Sequence, residues 1–135
     1  MNVVLLSTSK DRVDAIRAAS KRRGFPFTVV GDPEQAAHSI GETAEGIFVV
    51  DAESTPHLDE LLKGRSPRWP ILVLATRFDS SAWVELFKAG ASEVIGDPLS
   101  AHKVDAAFEG FLRPLATPSK VHTIWRTLAD RLRVR

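Results

Sequence analysis

The chain contains no cysteine, no tyrosine and a single methionine among its 135 residues. The absence of cysteine excludes disulfide bonds, thiolate catalysis and cysteine-based zinc sites, and it fits a reducing compartment. No segment reaches the roughly 18 apolar residues that a transmembrane helix requires. The first residues carry no basic segment and their apolar run is too short for a signal peptide, so we expect a soluble, cytoplasmic protein.

The sequence also lacks a strong excess of either charge. Eighteen lysine and arginine residues stand against seventeen aspartate and glutamate residues, for a formal net charge of +1. This balance favours neither a nucleic-acid partner nor a membrane surface. Hydrophobic residues make up 44% of the chain and charged residues 26%, which is typical of one soluble globular domain.

Five short apolar segments stand at fairly even intervals and are predicted to be strands. They are residues 3–6, 27–30, 46–50, 71–74 and 93–95. Nearly continuous apolar runs of this length are typical of strands that are buried on both faces of a parallel sheet. The alternation of these strands with helices predicts a doubly wound α/β fold with right-handed crossovers.

Segments with helical periodicity lie between and after these strands. Their expected caps or first residues are Ser9, Pro33, a position near residue 55, Asp79 or Ser80, and Ser100. Gly24 and Gly90 are expected to end the first and the fourth helix. The third helix is expected to extend to residue 63.

Beyond the fifth helix, the sequence predicts a linker and one more helix. We expect a domain over residues 1–113, a proline-containing linker over 114–119 and an amphipathic helix over 120–135. The apolar stripe of that helix consists of Val121, Ile124, Trp125, Leu128 and Leu132. An isolated helix of about 14 residues is marginal in water, so the stripe should pack against its own domain or against a second copy in a homodimer.

Ligands of open α/β sheets bind at the carboxyl ends of the strands, and three segments near these ends follow a known pattern. They are a strand that ends in Asp51, the strand of residues 70–76, and the segment 88–99 with its Gly-Ala turn, short strand and proline. In order and spacing they resemble the receiver domain of response regulators. The resemblance covers residues 2 to about 113. It implies the five-stranded CheY- and flavodoxin-like sheet of order 2-1-3-4-5, with Asp51 in the phosphoacceptor position.

Six positions that the resemblance places in the phosphorylation pocket depart from the family pattern. They are Ser7 and Thr8 for the acidic pair, Ala75 and Thr76 for the hydroxyl that ends the fourth strand, Val94 for the switch aromatic, and Asp97 for the lysine. The segment 96–98 also predicts a cis peptide bond between Asp97 and Pro98, because the family commonly has one there.

These departures should make phosphorylation of Asp51 ineffective. Magnesium takes one or two carboxylates together with several waters, so weak binding at Asp51 is the most that we expect. Each lost charge contact typically costs about 2.7–4 kcal/mol of transition-state stabilisation. The resemblance and these losses together imply a pseudo-receiver, which has no enzymatic activity and no cofactor and acts by binding proteins.

Three other interpretations of these residues remain open. Asp51 could be phosphorylated by a histidine kinase in the ordinary way, or it could simply cap the turn that follows its strand. The hydroxyl-rich loop of Ser7, Thr8, Ser9 and Lys10 could instead bind an anion or a nucleotide in a flavodoxin-like protein. That loop lacks the glycine that permits close approach to phosphate, and the chain has no tyrosine to stack on a flavin.

The protein partner is expected on one of two surfaces. The first is the face formed by the fourth helix, the fifth strand and the fifth helix, around Trp83 and Phe87. The second is the apolar stripe of the C-terminal helix with Trp125. The partner would be a histidine kinase or a downstream effector.

Overall fold

The computed structural model describes residues 1–41, 45–56, 58–63, 69–76 and 80–112. Strands and helices alternate along the described residues. The strands are β1 Asn2–Leu6, β2 Phe27–Val30, β3 Gly46–Asp51, β4 Ile71–Ala75 and β5 Glu93–Gly96. The helices are α1 Lys10–Arg22, α2 Pro33–Gly41, α3 Leu58–Lys63, α4 Ser80–Ala89 and α5 Ala101–Leu112, with a short 3₁₀ turn at Ala52–Ser54.

The five strands form one parallel sheet in the order β2-β1-β3-β4-β5, which confirms the predicted topology. The central strand β3 pairs with β1 on one side and with β4 on the other. All six of its residues are buried. Because every strand runs in the same direction, the loops after the strands meet at one edge of the sheet.

Helices cover both faces of the sheet and bury two apolar clusters. One cluster packs Ile16 of α1 and Phe108 of α5 against alternate residues of the strands. The other packs Leu62 of α3 and Phe87 of α4 against the opposite face. The alternation of side chains along each strand supplies both clusters, which is why the apolar runs appear nearly continuous in the sequence.

The helix ends follow the predicted capping residues, with one correction. The Ser9 hydroxyl accepts a hydrogen bond from the backbone N–H of Arg12, and the Ser100 hydroxyl accepts one from Lys103. Gly24 follows the end of α1 with a φ of 70°, which glycine adopts at little cost. The third helix begins at Leu58 rather than near residue 55, because the chain first makes a 3₁₀ turn and the Thr55 hydroxyl bonds back to the Asp51 carbonyl.

Three further predictions concern a peptide bond, membrane spans and the C-terminal segment. The Asp97–Pro98 peptide bond is cis, as expected. Within the described residues, none of the helices has the length and apolar character needed to span a membrane. The predicted linker at 114–119, the C-terminal helix at 120–135 and its apolar stripe lie outside the described residues, and so they stay predictions.

Candidate functional site

Asp51 occupies the last position of β3, at the carboxyl edge of the sheet where the sequence placed it. It has no exposed surface. Its carboxylate accepts the backbone N–H of Glu53 at 3.1 Å, and so it caps the 3₁₀ turn. It also accepts the hydroxyls of Ser7 at 2.8 Å and Ser54 at 3.0 Å. A buried carboxylate normally needs such donors, because an unpaired charge in the interior is very costly.

The positive charge that balances Asp51 comes from Arg12 in the first turn of α1. One guanidinium nitrogen, Nη1, donates to Oδ1 of Asp51 and also to the backbone carbonyl of Leu74 at 3.3 Å. The side chains of Arg12 and Asp51 are only 9% and 1% exposed, so the two residues form an interior ion pair. Sequence reasoning missed Arg12 and left the pocket without a positive charge.

The second terminal nitrogen of Arg12 contacts the rest of the pocket. Its Nη2 donates to the Thr76 hydroxyl at 3.3 Å and lies 3.4 Å from both carboxylate oxygens of Asp97. Glu53 adds a longer contact at 4.0 Å. The planar, always charged guanidinium can bond two carboxylates at once, which an ammonium group does less well. Arg12 therefore connects the loops after β3, β4 and β5.

The sequence did contain a signal for Arg12. The buried residues of α1 are Arg12, Ile16, Ala19 and Ser20, which follow the spacing of three and four that defines one helix face. An arginine on the inner face, in the turn nearest the carboxyl edge of the sheet, must direct its charge toward the strand ends.

The loop of residues 7–10 uses its polar groups within the chain. The buried Ser7 hydroxyl donates to Asp51 and accepts the backbone N–H of Ser9 at 3.0 Å. Thr8 pairs with the Ser54 hydroxyl through both its backbone N–H and its side chain. Ser9 caps α1. These contacts fix the loop to β3, and the alternative of an anion or nucleotide site there gains no support from them.

The remaining predicted pocket positions fall into two groups. Thr76 and Asp97 contact Arg12, so both border the pocket. Ala75 and Val94 are buried members of the apolar cluster that contains Phe87. Neither of these two side chains can donate a hydrogen bond, so a hydroxyl and an aromatic ring are both missing where the family pattern has them.

The residues of this pocket do not fit a magnesium ion. Ser7 and Thr8 supply hydroxyls in place of a carboxylate pair. The Arg12 guanidinium bonds Oδ1 of Asp51, and the hydroxyls of Ser7 and Ser54 bond Oδ2. Among the described residues, no group of three histidine, aspartate or glutamate side chains is arranged to hold a metal. The cation that contacts Asp51 is therefore a protein side chain, that of Arg12.

A cleft of about 660 Å³ lies beside this pocket, between α4, β5 and α5. Trp83, Val94 and Ala107 contribute apolar surface to it, and Asp97 and Lys103 contribute charge. Trp83 is half-buried and lines the cleft, which agrees with its predicted place on this face.

Phe87 requires a correction. Its side chain is buried in the core, with 8% of its surface exposed, and so the prediction that it forms part of a partner-binding surface is wrong. The helical stripe of α4 turns Phe87 toward the sheet, and Trp83 lies one turn earlier at the edge of the same stripe.

Comparisons with known proteins agree with this architecture. No family model and no curated protein sequence matches the chain. A two-component response regulator from Clostridium difficile matches with 13% identity and a TM-score of 0.75, over 87% of this chain and 99% of that one. A response regulator from Thermotoga maritima matches with 18% identity and a TM-score of 0.74, over 82% of this chain and 96% of that one.

A pilus assembly-related protein from Burkholderia pseudomallei is also similar, with 22% identity and a TM-score of 0.66, over 82% of this chain and 87% of that chain. At these identities, the similarity establishes the fold. The chain has the fold of response-regulator receiver domains, and the resemblance seen in the sequence is confirmed at that level.

Proposed function

We propose that this protein is a pseudo-receiver in bacterial signal transduction, a receiver-fold module that binds a protein partner without phosphorylation-dependent switching. The observation that carries this proposal is the buried ion pair between Arg12 and Asp51. An aspartate that accepts phosphate must present a carboxylate oxygen to the phosphodonor and to a metal. Here both oxygens accept hydrogen bonds inside the protein.

Exposing Asp51 would require Arg12 to leave the pocket. Breaking a buried ion pair typically costs about 3–5 kcal/mol, because each charge then lacks its partner. Phosphoryl transfer also depends on positive charge placed around the transferred oxygens. Arg12 supplies one such charge, but it is already bonded to the acceptor and to Asp97, so the state that could react is rare.

The switch that follows phosphorylation is also absent from these residues. Ala75 has no hydroxyl to contact a phosphoryl group, and Val94 has no ring to move. A phosphoryl group at Asp51 would thus lack the hydroxyl and the aromatic ring that form the two-state element of receiver domains. Binding by a constitutive conformation is the simpler function, with a histidine kinase or a downstream effector as the expected partner class.

The cleft beside Trp83 is the proposed partner surface within the described residues. Its lining combines apolar residues with charged ones, a composition that suits a protein-binding site. Trp83 is of the residue type that most often dominates interface energies. We expect Trp83→Ala to weaken partner binding, whereas Arg17→Met, at an exposed position of α1, leaves it unchanged.

Phosphorylation is tested by incubation with acetyl phosphate and magnesium, followed by intact mass spectrometry, with Asp51→Asn as the control. We expect no aspartyl phosphate on the wild-type chain. Beryllofluoride with magnesium should likewise leave its amide NMR spectrum unchanged. A stoichiometric phosphoryl adduct that Asp51→Asn abolishes would instead establish the alternative, a phosphorylatable receiver that uses Asp51.

A further inference from the structure

Asp97 borders both the Asp51 pocket and the cleft beside Trp83. On the pocket side, its two carboxylate oxygens each lie 3.4 Å from Nη2 of Arg12. On the cleft side, Asp97 belongs to the lining together with Gly96 and Trp83. Its side chain is 43% exposed, whereas that of Arg12 is almost fully buried. One ion pair therefore joins the interior of the pocket to the surface of the cleft.

Two cations contact the segment around Asp97. Arg12 contacts the Asp97 carboxylate from within the pocket. Lys103 of α5 extends its Nζ to the carbonyl oxygens of Gly96 at 3.5 Å and Pro98 at 2.9 Å. The end of β5 and the turn after it thus take their position from α1 as well as from α5.

Trp83 lies directly against this strand end. A Cβ atom placed on Gly96 would be 3.0 Å from Cζ2 of the Trp83 indole, closer than ordinary van der Waals contact. The absence of a side chain at Gly96 lets the ring rest on the backbone. Because the ring packs this closely on the backbone, a shift of the end of β5 should change the surroundings of the indole.

We propose that Arg12 is a positioning residue for the cleft: through Asp97 it fixes the end of β5 and, through Gly96, the place of the Trp83 indole. Binding of a partner at Trp83 is then energetically coupled to the Arg12–Asp51 ion pair. The coupling is reciprocal, so a partner that prefers the present position of Trp83 stabilises the ion pair. The inference goes beyond the pseudo-receiver proposal, because it does not depend on whether Asp51 can accept phosphate.

The test uses the full chain and the indole N–H signal of Trp83 in ¹⁵N NMR, assigned with Trp83→Phe. Three variants are compared: Asp97→Asn, Arg12→Met with Asp51→Asn, and the combination of all three changes. The paired change at 12 and 51 removes both buried charges together, which protects folding. Arg17→Met is the control, since Arg17 is an exposed residue of the same helix.

We expect the 12/51 pair and Asp97→Asn to shift the Trp83 indole signal in the same direction, and their combination to add nothing further. Arg17→Met should leave the signal in place. The pair is the decisive variant because Arg12 adjoins neither Gly96 nor Trp83, whereas Asp97 adjoins Gly96 directly. An effect that ran instead through the contact of Arg12 with the Leu74 carbonyl of β4 would add to that of Asp97→Asn. An unmoved Trp83 signal in the 12/51 pair overturns the inference, and so do shifts that simply add.

Arg12→Lys covers the case in which the 12/51 pair does not fold. The lysine keeps a positive charge near Asp51 but lacks the second terminal nitrogen, which reaches Asp97 in the wild-type protein. We expect this variant to shift the Trp83 signal as Asp97→Asn does. A wild-type Trp83 signal in Arg12→Lys contradicts the inference. Neither result bears on phosphorylation of Asp51, so the proposed function stands or falls separately.

Discussion

Arg12 and Asp51 form an ion pair in the interior of the sheet edge, although 39 residues separate them in the chain. The resemblance to receiver domains had suggested that the positive charge of the pocket was lost with the lysine position at Asp97. The structure instead has a positive charge that enters from α1. Asp97 is then a second carboxylate partner for that charge, at 3.4 Å from Nη2.

Removal of Arg12 alone should strongly destabilise the protein. Arg12→Met leaves Asp51 buried with three hydrogen-bond donors but no counter-charge, and we expect a loss of about 3–5 kcal/mol in the free energy of unfolding. Urea denaturation followed by circular dichroism measures it. The double change with Asp51→Asn should cost clearly less, because no buried charge remains.

Lys88→Met is the matched control for this series. Lys88 and its partner Glu85 are both exposed, so the change should alter the free energy of unfolding by no more than about 0.5 kcal/mol. An Arg12→Met protein as stable as this control would show that the interior ion pair contributes nothing to folding.

The fold could be predicted from the sequence because it depends on patterns that are local. Each strand is a continuous apolar run, and each helix has its stop or cap nearby, as Ser9 and Gly24 do for α1. The Arg12–Asp51 contact depends instead on how far α1 rotates about its axis when it packs on the sheet. The spacing of Arg12, Ile16 and Ala19 indicates which face of α1 turns toward the sheet, but only when Arg12 is included in that face.

The error at Phe87 has a related cause. Trp83, Val84, Leu86 and Phe87 spread apolar surface over more than one face of α4, so periodicity alone could not say which ring was buried. Packing on β4 and β5 decides it: the Phe87 ring fills the core and the Trp83 ring remains at the cleft.

A magnesium site should not appear when only the acidic pair and the lysine of the family pattern are restored. Ser7→Asp with Thr8→Asp and Asp97→Lys restores these three positions, but Arg12 still bonds the Asp51 carboxylate. We expect magnesium binding only after Arg12→Ala is added to this triple change. Isothermal titration calorimetry on both variants checks it. Binding by the triple variant with a dissociation constant well below about 1 mM would refute the assignment of Arg12 as the internal cation.

Gly46→Ala should destabilise the start of β3. A Cβ atom at this position would overlap the ring of Trp69 and the backbone carbonyl of Asn2. The backbone carbonyl cannot move without disturbing β1, and overpacking of this kind typically costs about 1–3 kcal/mol. Thermal denaturation measures the effect. Gly41→Ala is the matched control because a Cβ there meets no atom within 4 Å; equal effects at the two glycines would contradict the steric explanation.

Acidification should weaken the link between α1 and α5. The hydrogen bond from Arg23 holds the pKa of Asp105 below its ordinary value of 3.8, because it favours the charged carboxylate in the folded state. Stability from this source is present above pH 3.8 and is lost as the pH falls through the lower, folded-state pKa. Asp105→Asn should therefore flatten the acid side of the stability profile. An unchanged profile in thermal melts between neutral and acid pH would exclude this contribution.

The C-terminal segment bears on the oligomeric state. Residues 113–135 contain six lysines and arginines and one aspartate, whereas residues 1–112 contain twelve and sixteen acidic residues. A basic segment with an apolar stripe fits an acidic domain surface, in the same chain or in a second copy. The proline-containing linker gives the stripe reach, so we expect a dimer in which Trp125 is an anchor near the two-fold axis.

Light scattering on three proteins tests this expectation: the full chain, Trp125→Ala and a truncation after Arg113. We expect a dimer for the full chain, with weaker association for Trp125→Ala and a monomer for the truncated chain. Because residues 113–135 and residues 1–112 carry opposite net charge, the dimer should also weaken as ionic strength rises. Trp83→Ala is the control, because it changes the predicted partner surface at the cleft and not the one on the C-terminal helix. If the full chain, Trp125→Ala and the truncated chain are equally monomeric and well folded, the segment has no role in dimerisation.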